Sequence, residues 1–143
     1  MSLDDILSSH RWLAFKEKIK QRRQDDIEKV RDWPPDDRVL LRWTAHGLRC
    51  VVLHGPVGLC GYVHVPIGHP DERSDYADVP VDVHGALTFR CRVDDGSWFG
   101  FDTAHGGDWL STPIGEHPGR VWTVEDVRAE TERLAEQLVR RGR

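Results

Sequence analysis

The side chains best able to do chemistry lie in one segment of the chain, between residues 84 and 108. Five of them are of types that bind ligands or move protons: His84, Thr88, Asp102, His105 and Asp108. Imidazole nitrogens and carboxylate oxygens together suit a divalent metal such as Zn²⁺, Mn²⁺ or Fe²⁺. They suit equally well a metal-free acid–base pair in which a carboxylate orients a histidine. The residue types therefore indicate a pocket of one of these two kinds.

We assign expected roles within this pocket as follows. The catalytic groups are His84, Asp102 and His105, and a bound metal would be held by the same three residues with Asp108. Aromatic rings can stack on a ligand, and a guanidinium can clamp a phosphate or carboxylate. The expected ligand-binding residues are Tyr76, Thr88, Arg90, Trp98 and Trp109. The Asp-x-x-His-x-x-Asp spacing is no established metal motif, and Asx turns or loop histidines are the structural alternative.

A β-hairpin is predicted to position these residues. Its first strand alternates apolar and polar residues up to Val93, and its second runs over Ser97–Thr103. A three-residue loop, Asp94–Gly96, would put Phe89 opposite Phe101 and form one continuous apolar face. In that register Thr88 faces Asp102, and His84 joins them if the strand continues regularly through Gly85.

The rest of the chain predicts an α+β protein with a single domain over residues 1–143. An N-terminal helical segment, residues 1–33, opens with a capping box at Ser2 and Asp5 and stops at Pro34. Apolar and polar residues then alternate in a β-rich core, residues 38–104, which we expect to be a mostly antiparallel sheet. A second capping box, at Thr123 and Asp126, begins a C-terminal helix over residues 123–141, whose apolar stripe should pack on the sheet.

Composition narrows the function classes. The chain of 143 residues is long enough for one hydrophobic core, and its net charge of -4 argues against general nucleic-acid binding. The three cysteines form no C-x-x-C motif, and the N-terminus does not resemble an export signal, so we expect a cytoplasmic protein with reduced thiols. No apolar run approaches the length of a membrane span, so we expect no membrane partner. The basic run Lys16–Arg23 is interpreted as a solvated face.

Several motifs resemble a family of small uncharacterised proteins from bacteriophages, prophages and actinobacteria. They are Gly61-Tyr62-Val63, Pro66-x-Gly68-His69-Pro70, Tyr76-x-Asp78, Val83-His84-Gly85, Leu87-Thr88-Phe89 and Trp98-Phe99-Gly100-Phe101-Asp102-x-x-His105-x-Gly107-Asp108. The resemblance covers roughly residues 60–110 and the start of the final helix. This chain departs from the family pattern at His64 and Ala86, where the family has glycine. Because that family has no assigned reaction, the resemblance implies an accessory phage-type protein and no mechanism.

Two functional hypotheses of different classes follow. In the first, the His/Asp/Thr pocket binds a small anionic ligand, with or without a divalent metal, and supports hydrolysis of a phosphate- or carboxylate-bearing molecule. In the second, the chain is a non-catalytic protein that binds a host or defence protein or sequesters a small molecule. The pocket residues matter for the first hypothesis, and the Trp-rich and charged surfaces matter for the second.

Overall fold

A five-stranded antiparallel sheet with a helix on one face forms the centre of the structure, a computed structural model that describes residues 10–143. The capping box predicted at Ser2 and Asp5 lies outside the described residues. The sheet order is β1-β2-β3-β5-β4. Its strands are β1 (Val39–Ala45), β2 (Leu48–His54), β3 (Leu59–Pro66), β4 (Phe89–Val93) and β5 (Gly96–Asp102).

Two helices and a small ribbon complete the fold. Helix α1 spans His10–Glu28 and helix α2 spans Val124–Arg141, while β6 (Leu110–Thr112) and β7 (Gly115–His117) form a separate two-stranded ribbon. Short 3₁₀ helices occur at Asp36–Arg38 and Tyr76–Asp78. The predicted α+β class, with an N-terminal helix and a C-terminal helix on the sheet, is confirmed.

Helix α2 begins and packs as its sequence predicts. The Thr123 hydroxyl accepts a hydrogen bond from the Asp126 backbone N–H, and the Asp126 carboxylate accepts one from the Thr123 backbone, which is a complete capping box. The buried stripe consists of Val127, Thr131, Leu134, Ala135 and Leu138. These side chains pack on β2 and β3 because their spacing of three and four places them on one side of the helix.

The other face of the sheet is also apolar. Tyr62, Cys91 and Trp98 are among the residues of a second buried cluster there, and Trp33 packs against it. The segment after α1 reaches this face by running beside β4, where Val30 forms a parallel bridge with Arg92. An extended segment therefore packs on part of this face, whereas α2 packs on the other.

The two apolar faces explain why the predicted hairpin register is wrong. The turn has two residues, Asp94 and Asp95, so Val93 pairs with Gly96 and Phe89 pairs with Gly100 instead of Phe101. A slip of one residue turns a strand over. The prediction assumed one apolar face, whereas β4 directs Phe89 into the Trp33 side and β5 directs Phe101 toward α2.

Helix α1 is largely solvent-exposed. Its apolar side chains Leu13, Phe15 and Ile19 are each about half exposed, so little of the helix packs on the sheet. The predicted helical segment ends earlier than residue 33, at Glu28. None of the helices within residues 10–143 is both long and apolar enough to cross a membrane.

Gly61 of β3 tests the packing of α2. A Cβ atom at this position would lie 2.1 Å from Thr131 Oγ1 and 2.7 Å from the Phe101 ring, so the helix approaches the strand too closely for any side chain. We expect Gly61→Ala to lower the free energy of unfolding by about 1–3 kcal/mol. Urea denaturation measures the change. The control is Gly106→Ala, where nothing lies within 4 Å of the added methyl; an equal loss in both variants would contradict the packing argument.

Candidate functional site

The clustered residues form two His–Asp pairs at one end of the sheet. Asp102 is the last residue of β5, and His105 and Asp108 follow it in the loop that leads to β6. His84 comes from a turn before β4, where the Ala86 N–H donates to the Val83 carbonyl. The two imidazole rings lie 5.5 Å apart, centroid to centroid, in an edge-on arrangement.

Asp108 is the buried anchor of the first pair. It is 2% exposed, and its carboxylate accepts three hydrogen bonds. His84 Nε2 and the His105 backbone N–H donate to Oδ2 at 2.9 and 3.0 Å, and Trp122 Nε1 donates to Oδ1 at 2.8 Å. A buried carboxylate is tolerated when its oxygens are satisfied in this way.

These contacts keep the Asp108 carboxyl ionised. Burial alone would raise the pKa of Asp108, but the hydrogen bonds from His84, the His105 backbone and Trp122 outweigh it and hold the pKa below its ordinary value. The carboxylate is therefore ionised at neutral pH and can only accept hydrogen bonds. It follows that Nε2 of His84 carries a proton, so that whenever the ring is neutral Nδ1 has a lone pair available to a ligand or water.

The second pair joins His105 to Asp102. Asp102 Oδ1 accepts a hydrogen bond from the Ala104 N–H, and Oδ2 accepts one from the Thr88 hydroxyl at 3.1 Å. His105 Nε2 lies 2.9 Å from Asp102 Oδ1, but out of line for a hydrogen bond. Within the described residues this buried nitrogen thus lies next to a carboxylate and has no aligned acceptor. The predicted proximity of Thr88 and Asp102 holds although the register that suggested it does not.

Two consecutive residues with positive φ place His84. Gly85 has φ +66° and Ala86 has φ +65°, so the chain turns here and the condition of a regular strand through Gly85 is not met. Gly85 also faces the His105 ring, where an added Cβ would lie 2.2 Å from Nε2. Only glycine allows the turn to approach that ring.

A cavity of about 230 Å³ opens beside the second pair. Thr88 and Asp102 form its polar side, and Tyr62, Cys60 and Phe89 belong to its apolar lining. Burial raises the pKa of the Cys60 thiol, so this cysteine is a lining group and not a thiolate nucleophile at neutral pH. The cavity therefore offers room for the apolar part of a ligand beside Asp102, the carboxylate that His105 contacts.

Trp122 and Arg120 belong to the site and were missed by the sequence reasoning. The Trp122 ring lies 4.5 Å from the His84 ring, and the Arg120 guanidinium stacks 3.7 Å above the same indole. Both residues lie just before α2, far along the chain from the predicted cluster. No motif marks them; the proximity of a Trp and an Arg to a capping box was the only signal in the sequence.

The other predicted ligand-binding residues lie elsewhere. Trp98 is 3% exposed and sits four residues along β5 from Asp102, which is about 13 Å in a strand. Arg90 donates to the Glu72 carbonyl, and Tyr76 packs against the core cluster under α2. Trp109 is exposed beyond the loop, with its backbone N–H bonded to the Arg120 carbonyl. The structure therefore does not gather these four with the His–Asp pairs.

The four residues predicted as metal ligands do not converge on one point. In the part of the chain that the structure describes, no group of three or more His, Cys, Asp or Glu side chains is arranged to hold a metal ion. The reason is the hydrogen bonding: both oxygens of Asp108 already accept from N–H donors, and one of these donors is Nε2 of His84. The geometry is that of two acid–base pairs.

Replacing Asp108 tests whether its charge holds the site together. Asp108→Asn keeps the shape of the side chain but replaces one acceptor oxygen with an NH2 group, which would face an N–H donor. We expect a loss of about 3 kcal/mol in unfolding free energy at pH 7. Because folding lowers the pKa of Asp108, its stabilisation is complete above the unfolded value of about 3.9 and is lost as pH falls through the folded pKa. Urea titrations should therefore show the difference between wild type and variant shrinking below about pH 4. A difference independent of pH would contradict this account.

Ala86 tests the turn. An L-residue in the left-handed region is strained, so we expect Ala86→Gly to raise the free energy of unfolding by about 0.5–1 kcal/mol after the entropy cost of glycine. The control is Ala77→Gly, at an exposed residue without positive φ, which should be destabilising. Thermal denaturation compares the two; destabilisation in both would argue against strain at Ala86.

Comparison with known proteins adds no relative to this chain. No protein-family model, no curated protein and no solved structure matches it.

Proposed function

We propose that this protein is a small-molecule hydrolase that acts on a ligand bearing a phosphate or carboxylate group, with His84 as its acid–base residue. The observation that carries the proposal is the Asp108–His84 pair. A fully buried carboxylate with three donors holds one nitrogen of a partly exposed imidazole and leaves the other available. That arrangement supplies a general base of fixed tautomer and stabilises the imidazolium formed when it accepts a proton.

The second histidine supplies the complementary role. His105 lies 5.5 Å from His84 and beside Asp102, so the two imidazoles can contact the same phosphoryl or acyl group from two sides. His84 Nδ1 takes a proton from water while the water oxygen bonds to phosphorus or carbonyl carbon. The bond to the leaving oxygen breaks, and that oxygen takes its proton from the imidazolium of His105. Proton exchange with solvent then restores both rings.

The surroundings favour an anionic ligand with an apolar part. The guanidinium of Arg120 stands over the Trp122 ring next to His84 and is half exposed, so it can approach a ligand anion. The nearby carboxylates of Asp102 and Asp108 are already engaged by Thr88, backbone N–H groups and the histidines. The cavity lined by Cys60, Tyr62 and Phe89 would take the apolar part.

The alternative is a non-catalytic protein that binds a host or defence protein, the accessory role that the phage-family resemblance suggests. The observation favouring it is the exposed apolar side chains of α1, Leu13, Phe15 and Ile19, interspersed with the basic residues of the Lys16–Arg23 run. This role requires neither imidazole, so the same variants separate the two functions.

The test is hydrolysis of a panel of p-nitrophenyl phosphate, p-nitrophenyl acetate and nucleoside monophosphates. We expect at least one substrate to be turned over, and His84→Ala to lower the rate by about 10²–10⁴-fold because a positioned acid–base group is lost. His54→Ala, an exposed histidine at the end of β2, is the matched control and should keep full activity. Circular dichroism confirms folding. Turnover that survives in His84→Ala, or no turnover by the wild type, would contradict the hydrolase.

A further inference from the structure

A second cavity, of about 410 Å³, lies on the face of the sheet that the Trp33 segment covers. It opens between that segment and strands β1 and β2. The residues relevant to its chemistry are Trp33, Arg42, Thr44, Arg49, Val51 and Trp98. Because Trp33 packs on Tyr62 and Phe89, which line the 230 Å³ cavity, the Trp33 ring separates the two spaces. None of the groups of the His–Asp site lines this second cavity.

The register of the sheet explains why these residues meet. Arg42 pairs with Val51 and Thr44 pairs with Arg49, so both arginines lie on the Trp33 face of neighbouring strands. Arg49 lies on β2, which pairs with β3, and His64 of β3 pairs in turn with Trp98 of β5. The Arg49 guanidinium lies 5.7 Å from the Trp98 ring. Cations and indole rings are thereby placed around one space.

The inner part of this cavity is aromatic, and one of its lining residues, Trp33, carries an unsatisfied donor. Trp98 and Val51 are buried, and Trp33 is partly buried above them. Nε1 of Trp33 is shielded from solvent and has no hydrogen-bond partner in the part of the chain described. A buried N–H without an acceptor is costly, so an acceptor atom on a bound molecule would be stabilised here. Flat rings with one donor favour a planar heteroaromatic or aromatic group.

The rim is cationic, with weakly held counter-ions. Arg42 contacts Asp36, whose side chain is 94% exposed, and Arg49 contacts Asp95, whose side chain is 65% exposed. Ion pairs this exposed contribute little, so a ligand anion can replace either carboxylate at small cost. Two guanidiniums at one opening form a suitable clamp for phosphate or carboxylate oxygens.

We propose that this cavity is a second ligand site, which binds a planar ring carrying a phosphate or carboxylate group. The ring lies between Trp33 and Trp98, and the anion contacts Arg42 and Arg49. The volume is within the range of small-molecule sites and accommodates a nucleoside monophosphate or an aromatic acid. The site is independent of the proposed hydrolysis, because it shares no residue with the His–Asp pairs.

Isothermal titration calorimetry with four probes tests the proposal. Two probes are ring anions: adenosine 5′-monophosphate carries a phosphate group and benzoate carries a carboxylate group. Adenosine is a ring without an anionic group, and inorganic phosphate is an anion without a ring. We expect saturable binding of at least one ring anion, and which of the two binds identifies phosphate or carboxylate as the preferred group. Adenosine and inorganic phosphate should each bind at least tenfold more weakly.

Matched variants locate the binding. Arg42→Gln and Arg49→Gln should each weaken binding of the ring anion about tenfold. Arg140→Gln removes the same charge at an exposed position of α2 and should leave binding unchanged. Asp36→Asn should tighten binding by removing the competing carboxylate. Running the titrations in the His84→Ala background, in which the proposed hydrolysis is lost, keeps this result distinct from that of the hydrolase test. No saturable binding by either ring anion at millimolar concentration, equal loss in Arg140→Gln, or inorganic phosphate binding as tightly as the ring anions would overturn the proposal.

Discussion

The burial of one carboxylate, that of Asp108, constrains the whole site. Removing an ionised group from water is costly unless donors replace the water, and here the donors come from three separate stretches of chain: the turn at His84, the loop at His105 and the approach to α2 at Trp122. None of these stretches belongs to a strand of the five-stranded sheet, although a parallel bridge between Asp108 and Arg120 joins the loop to the approach to α2. The carboxylate thus connects the loop after β5 to the turn before β4 and to the start of α2, and it fixes the orientation of the His84 imidazole at the same time.

A second constraint is that both faces of the sheet are apolar. Helix α2 covers one face with five buried side chains, whereas among the described residues the side chain that packs on the other face from outside the sheet is that of Trp33. A single ring in an extended segment cannot cover a five-stranded sheet. The consequence is that space remains on both sides of Trp33, one cavity beside Asp102 and the other beside Arg42 and Arg49. Incomplete coverage of this face is the physical origin of both candidate ligand sites.

The two sites differ in chemistry because they lie at different strand positions. The cavity next to Asp102 lies where β5 ends, and strand ends lead to loops that bring titratable side chains such as His105. The cavity next to Arg49 lies over the middle and edge of β1 and β2, where side chains come from the regular alternation of the strands. One site therefore has histidines and carboxylates suited to proton transfer, and the other has rings and guanidiniums suited to binding alone.

Local patterns in the sequence determined the regular elements and the composition of the site. The capping box at Thr123, the apolar spacing of α2 and the alternation near Phe89 each act over a few residues, so the α+β class and the grouping of His84, Asp102, His105 and Asp108 could be predicted from them. Only the tertiary structure decided the hairpin register, the pairing of His84 with Asp108, and the entry of Trp122 and Arg120 into the site. These depend on which apolar side chains meet across the sheet and on how a buried charge finds its donors. Such contacts join residues far apart in the chain, and no local pattern encodes them.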